Sequence, residues 1–269
     1  MIHRNGSYRR QSGPVDDTGD RAVLVTGGAG FIGTNVADRL ASQGKRVVIL
    51  DNLSRAGVDQ NALWLQQRHG RRIKFIVGDI RERADVRRAL EGVEHVFHFA
   101  AQVAVTTSLE DPRTDFDINA LGTLNLLEEI RAMRNPASII YTSTNKVYGG
   151  LPDLELRPEQ KRYTPVDRKI AAAGISEQRP LDFHTPYGCS KGAAEQYVVD
   201  FARTLGLKAV VFRMSCIYGP HQFGTEDQGW VAHFLIRALE QRRTSPSPRQ
   251  SLPSCQACDE RRQGLRWPH

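Results

Sequence analysis

Short apolar runs separated by polar, periodic stretches fill the middle of the chain. Arg21 to Thr26 is such a run, and Lys45 to Leu50, Ile73 to Val77, Glu94 to Phe99, Ile139 to Thr142 and Lys208 to Phe212 repeat it. Each has strand length, and near-continuous apolar character marks a strand covered on both faces. Between them lie segments of helical period. Phe31, Ile32, Val36, Ala37 and Leu40 line one face up to Gly44, and a long helix is predicted over Asp111 to Met133. A further helix begins near Tyr187, with Ala193, Ala194, Tyr197, Val198, Phe201 and Leu205 along one side, and another spans 229–241. Strands alternating with helices predict an α/β fold, a doubly wound parallel sheet.

Periodicity fails in three places. Residues 150–183 carry Pro152, Pro158, Pro165 and Pro180 among mixed charges, and a loop of this length reads as a lid or an edge of a substrate site. Residues 1–20 are polar, with no apolar middle of a secretory signal, and are expected to be a disordered leader. From Arg242 the chain turns rich in Arg, Ser, Pro and Gln, and 242–269 is expected to be a disordered or aberrant tail. The folded unit is then 21–241.

The net charge of +7 changes this picture little, because most of it lies in the ends. Residues 242–269 hold six Arg against Asp259 and Glu260, and 1–21 hold four Arg against three Asp. A nucleic-acid partner is not expected. No apolar run is long enough to span a bilayer, so no membrane partner is expected and a cytoplasmic protein is the default. Of Cys189, Cys216, Cys255 and Cys258, only the last two form a Cys-x-x-Cys, and one such pair supports neither a metal nor a disulfide. Cys189 is expected to pack as a small residue within the turn that bears Tyr187.

Chemistry gathers at strand ends. Gly27, Gly30 and Gly33 follow the first strand and open the first helix, where glycine lets backbone N–H groups approach a pyrophosphate. Asp51 ends the second strand, placed to accept ribose hydroxyls and to repel a 2′-phosphate, so NAD is expected over NADP; Arg55 nearby weighs the other way. Asp79 is placed to meet an adenine edge or to cap the next helix, and Ala100, Ala101 and Gln102 let a cofactor lie against backbone. Tyr187 and Lys191 stand four residues apart, on one face of a helix. A lysine cation beside a phenol favours the phenolate, and lowering tyrosine from ~10 to about 7 takes roughly 4 kcal/mol. Alone the spacing is weak, and a helix-surface pair is its ordinary meaning.

In order along the chain, Thr26-Gly27-Gly28-Ala29-Gly30-Phe31-Ile32-Gly33, Asp51-Asn52, Gly78-Asp79-Ile80, Ser143-Thr144 before Val147-Tyr148-Gly149, and Tyr187 with Lys191 resemble the extended short-chain dehydrogenase/reductase family, in its nucleotide-sugar epimerases and dehydratases. The resemblance covers about residues 22–241. It implies a Rossmann-type fold with NAD as cofactor and a nucleotide-sugar as substrate. It assigns Phe31, Ile32, Asn52 and Ile80 to the cofactor alongside the residues above, with Tyr187, Lys191 and Thr144 catalytic. Asn119, Asn145 and Lys146 join Thr144 and Tyr187 on the substrate side. The family's 4,6-dehydratases carry an Asp–Glu pair where this chain has Asn145-Lys146, so epimerisation is expected rather than loss of water.

Four stretches, among them Asp51 to Arg55 and Leu181 to Ala194, are similar to the family's 2-epimerases, favouring a CDP-sugar. A UDP-sugar 4-epimerase and a dinucleotide-binding protein without turnover stay open beside it. Helices 111–133 and 190–206 are expected to pair across a homodimer, or within a homotetramer. The family continues past 241 with a strand and an Arg-Asp pair that 242–269 does not match. The expectation is a truncated or frameshifted C-terminus and an incomplete substrate-binding subdomain.

Overall fold

The computed structural model describes residues 21–240. The expected leader and tail, with Cys255 and Cys258, lie outside the described residues.

The chain runs β1 (Ala22–Thr26), α1 (Phe31–Ser42), β2 (Val47–Asp51), α2 (Val58–His69), β3 (Ile73–Val77), α3 (Arg83–Ala89) and β4 (Val93–His98). It continues with α4 (Val105–Glu110), α5 (Pro112–Phe116), a π-turn over Asp117–Leu121, α6 (Gly122–Ala132), β5 (Ser138–Thr144) and a 3-10 turn over Asn145–Tyr148. Then come β6 (Leu156–Pro158), β7 (Tyr163–Pro165), α7 (Arg168–Ala173), α8 (Thr185–Leu205), β8 (Ala209–Met214) and α9 (Trp230–Leu239).

Six strands form one parallel sheet in the order β3-β2-β1-β4-β5-β8. Chain order runs outward from β1 to β3, then resumes on the other side of β1 with β4. The strand ends of β1 and β4 therefore border the crevice where ligands of such sheets bind. Alternate residues point to opposite faces; both faces of the central strands are covered, while on the edge strand β8 one face, with Val210 and Phe212, is half exposed. Leu24, Val48 and Leu50 join the core under α3, α6 and α8, while Val25, Val47 and Ile49 join the core under α1 and α2.

The predicted strands all occur. Three helices lacked a clear apolar signal: α2, α3 and α4. α2 buries only Val58, Asn61, Ala62 and Leu65, and the rest of its surface is polar. The long helix predicted over 111–133 occurs as one continuous run. Asp111 accepts from the Thr114 N–H and caps α5, and α5 passes into α6 through the π-turn without leaving helical backbone. β5 extends to Thr144, so Ser143 and Thr144 belong to the strand itself. The segment 150–183 is not structureless: β6 and β7 pair antiparallel, and Asp167 caps α7.

Two expectations on α8 are corrected. Tyr197 (45% exposed) and Leu205 (42%) do not share the core side with Ala194, Val198 and Phe201. The buried stripe of α8 passes through Lys191, Ala194, Val198 and Phe201 and leaves them outside. Cys189 is exposed and packs against nothing in the core. The close approach falls to Gly192, where a Cβ would come within 2.4 Å of the Phe183 ring.

The tightest point of the fold is the turn after β1. A Cβ on Gly33 would lie 2.2 Å from the Gly27 carbonyl oxygen, which is backbone and cannot swing aside. Gly33→Ala is expected to destabilise the protein by about 1–3 kcal/mol, the usual cost of overpacking. Chemical denaturation followed by circular dichroism measures this; an unchanged midpoint would show that the turn relaxes freely.

Candidate active site

The crevice begins at Gly27, whose φ of +65° and close approach to the Ala100 backbone both require glycine. A Cβ there would meet the Ala100 nitrogen at 2.6 Å. Gly30 opens α1 with no side-chain cap, so the first N–H groups of the helix, at Phe31, Ile32 and Gly33, are left for another acceptor. Asp51, the last residue of β2, accepts at Oδ2 from the Ala29 N–H (3.0 Å) and at Oδ1 from the Leu53 N–H (2.9 Å). Burial nevertheless raises its pKa, the backbone bonds opposing. Asn52 donates to Asp79 Oδ2 (2.9 Å), and the Arg81 guanidinium holds the Asp79 carboxyl down to about 2. Ile80 is buried under α6, where a Cβ on Gly122 would reach its side chain. Glycine turn, uncapped helix start and buried carboxylate together fit the diphosphate and ribose of a dinucleotide.

A loop outside the sequence expectations for this cradle lies beside it. Asn35 donates to the Pro220 carbonyl (2.9 Å), and Asn61 donates to the Ala29 and His221 carbonyls (2.9 and 3.1 Å). His221 stacks on Trp64 at 4.1 Å, and Arg55 donates to Gln228 Oε1 (2.6 Å). Asn61 is buried on the core side of α2 and Trp64 packs partly against the core, so both needed partners that the apolar pattern did not supply.

Across the crevice, Thr26, His98 and Thr123 form one ordered chain. The Thr123 hydroxyl donates to the Asn119 carbonyl (2.6 Å), so it must accept from His98 Nε2 (2.9 Å). His98 Nδ1 then accepts from the Thr26 hydroxyl (2.6 Å), and Thr26 Oγ1 accepts from the Ala100 N–H (3.3 Å). Burial first, and the Lys191 charge second, push His98 down to about 3, which keeps it neutral. Ala101 follows half-buried. Gln102 clamps Ala104 through both atoms of its amide (2.7 and 2.8 Å). Asn119, on the π-turn, accepts from the Gln102 N–H (2.9 Å) and donates to the Gln102 carbonyl, Asp115 and Ser190. It is buried behind the crevice with its amide fully engaged by protein groups.

Thr144 and Tyr187 meet where β5 ends against the first turn of α8, and Lys191 follows one turn later on the helix. Thr144 Oγ1 accepts from the Lys146 N–H (3.2 Å), and its hydroxyl bonds to the Tyr187 phenol. The Tyr187 N–H donates to Ser108 Oγ (3.2 Å), which fixes the start of α8 on α4. Asn145 is exposed beside Thr144, with Lys146 half-buried. Ser143 Oγ is buried with no hydrogen-bond partner among the described residues.

The electrostatics depart from the expected arrangement. Burial raises the Tyr187 pKa above its ordinary 10; the Thr144 bond opposes this and the Asp115 charge adds to it. Lys191 is not among these influences. Its Nζ lies 4.4 Å from the centre of the Tyr141 ring, and burial pulls its pKa from 10.5 to about 7 while Asp115 and Glu195 resist. The shared helix face is present, but in this structure the cation rests over Tyr141 and does not depress the phenol. Among the described residues no cluster of His, Cys, Asp or Glu can hold a metal, and no helix is long and apolar enough to cross a membrane.

The family model described as the NAD dependent epimerase/dehydratase family matches residues 23–263. The CDP-paratose 2-epimerase of Salmonella typhi is 49% identical over 220 residues, covering 81% of this chain and 64% of that protein. The chain thus spans less than two thirds of that relative's length. The UDP-glucose 4-epimerase of Thermus thermophilus, solved in complex with NAD, is 35% identical with a TM-score of 0.67, covering 83% of this chain and 64% of that one. The UDP-glucose 4-epimerase of Thermotoga maritima, solved with UDP-glucose, is 32% identical with a TM-score of 0.66, over 83% and 64% of the two chains.

The buried lysine makes stability depend on pH. Its folded pKa of about 7 lies below the unfolded 10.5, so between these values the unfolded chain holds a proton that the folded chain lacks. This group's contribution to stability therefore rises with pH across that window. Thermal unfolding without cofactor should show that rise, and Lys191→Met should flatten it; equal slopes in the two proteins would contradict the burial of the charge.

Proposed function

The chain belongs to the NAD dependent epimerase/dehydratase family, and from that premise we propose that it is an NAD-dependent nucleotide-sugar epimerase that inverts C2 of a CDP-paratose-like sugar. The observation that carries the reading is the hydrogen bond between Thr144, at the end of β5, and Tyr187, in the first turn of α8, with Lys191 buried one turn further along the same helix.

Gly27, Gly30 and the start of α1 would hold the NAD diphosphate, Asp51 the adenosine ribose, and Asn52, Asp79 and Ile80 the base side. Ala100, Ala101 and Gln102 would lie along the cofactor. Bound NAD supplies a hydride acceptor and, once reduced, a hydride donor, so one equivalent serves many turnovers.

The chain's own residues handle the proton. Tyr187 Oη exchanges it with the sugar hydroxyl at the carbon being oxidised, and Thr144 hydrogen-bonds the same oxygen. The buried phenol is protonated at neutral pH, so it serves directly as the group that returns a proton. Taking one requires positive charge nearby, which Lys191 carries when protonated. The Asn145–Tyr148 turn offers no carboxyl group to assist departure of a hydroxyl. That favours epimerisation over dehydration. Asn145 and Lys146 would face the sugar, and Asn119 would act from behind by holding the 102–104 loop.

Identity to the Salmonella enzyme supports a CDP-sugar and C2. Structural likeness to two UDP-glucose 4-epimerases supports a second reading, a UDP-sugar 4-epimerase.

The test is proton NMR of the purified chain with NAD and, separately, CDP-paratose and UDP-glucose. Formation of the C2 epimer of the CDP-sugar is the expected outcome. Conversion of UDP-glucose alone selects the second reading, and NAD binding with neither conversion contradicts both. Tyr187→Phe should lower turnover by at least ~100-fold while retaining NAD; an unchanged rate would remove Tyr187 from the chemistry.

A further inference from the structure

Three acids are buried among the described residues: Asp115, Glu129 and Glu195. Two have arginine partners. Glu129 is held by Arg83 and Arg87, and Glu195 by Arg213 at 2.6 Å and 3.0 Å. Asp115, 1% exposed, has only neutral hydrogen-bond donors. A carboxylate so placed is costly unless a compensating charge is near. The one cation whose field acts on Asp115 is Lys191, itself 4% exposed.

We propose that Asp115 is a positioning residue of this site, the buried counter-charge that keeps Lys191 an ammonium and, through Ser190 and Asn119, fixes the turn carrying Tyr187.

The contacts form a closed web. The Ser190 hydroxyl donates to Asp115 Oδ2 and accepts from Asn119 Nδ2 (3.0 Å). Asn119 Nδ2 also reaches Asp115 Oδ1 (3.2 Å). Ser190 immediately precedes Lys191, so holding Ser190 holds the backbone of the lysine. The π-turn over Asp117–Leu121 presents Asn119 to Asp115, Ser190 and the Gln102 backbone at once. A single extra residue in a helix is a recurrent means of aiming a side chain at a functional site.

The groups facing Lys191 are few. From α5 comes Asp115, and from α8 itself Glu195, already bound by Arg213 of β8. From β5 comes the Tyr141 ring, from β4 the neutral His98, and Tyr187 stands one turn back on α8. Asp115 is thus the one facing carboxylate not already bound by an arginine. Burial raises its own pKa, and Ser190, Lys191 and Asn119 resist that rise. The lysine and the aspartate therefore support each other's charged forms.

The inference rests on the roles proposed above for Tyr187 and Lys191, but its test needs no turnover. The cofactor-free chain, labelled with carbon-13 at the lysine ε position, is titrated by NMR, with Lys191 assigned by its loss in Lys191→Met. The wild-type midpoint is expected at about 7. Asp115→Asn, which keeps shape and removes charge, should lower it by about one unit or more. Asp115→Glu should restore it. A packing role predicts the opposite order, with the isosteric asparagine harmless and the longer glutamate disruptive.

The Asp115 carboxyl carbon in the wild-type chain gives a second reading that needs no variant. It should report an ionised group at the pH where Lys191 titrates, and a protonated group there would overturn the proposal. An unchanged Lys191 midpoint in Asp115→Asn would overturn it too, whether or not the chain converts a sugar. A lowered midpoint without turnover would count against the proposed function alone.

Discussion

Gly33 lies on the Gly27 carbonyl with no room for a Cβ, and Gly27 likewise leaves no room against the Ala100 backbone. This double approach governs much of the architecture. It brings the start of α1 down onto the end of β1 and presses both against the end of β4. The crevice between β1 and β4 exists because three backbone segments meet there without side chains between them. The ordered chain from Ala100 through Thr26, His98 and Thr123 to Asn119 then ties this meeting point to the π-turn. From the π-turn, Asn119 and Asp115 reach the helix that bears Tyr187 and Lys191. The proposed cofactor cradle and the side chains proposed to react thus belong to one hydrogen-bonded frame.

The electrostatic problem of the site is a buried lysine. Its cation is disfavoured by burial, and what resists is one aspartate, one arginine-bound glutamate and the face of an aromatic ring. A positive His98 beside it would make matters worse, and burial keeps that imidazole neutral. The same burial raises the phenol of Tyr187. The phenol therefore rests protonated and the lysine stands close to its titration midpoint at neutral pH, where small changes in nearby charge decide its form.

Much of this was legible in the chain. Apolar runs of strand length marked the six strands of the parallel sheet, most continuously in β1 and β2, which are covered on both faces. The glycine spacing and Asp51 were legible because backbone contact admits no other side chain and a strand end admits few roles. The helices α2, α3 and α4 were not, since α2 buries one narrow stripe and α3 and α4 are one to two turns long. The π-turn was invisible: Asp117 to Leu121 keeps an ordinary helical composition, and only the packing of Asn119 against Gln102 and Ser190 reveals the extra residue. Tyr187 and Lys191 were found by spacing, yet their charge states were misread. Spacing reports which face a side chain occupies; it does not report how deeply the face is buried or which ring lies opposite.

In the proposed function, residues 21–240 build the cradle for NAD, with Asp51 as the group that selects the unphosphorylated ribose. Isothermal titration of the chain with NAD and with NADP tests it most directly. The account predicts one NAD bound per chain, NADP bound at least ~10-fold more weakly by repulsion from the Asp51 carboxylate, and that preference lost in Asp51→Asn. Equal affinity for the two dinucleotides, or binding of neither, would contradict it.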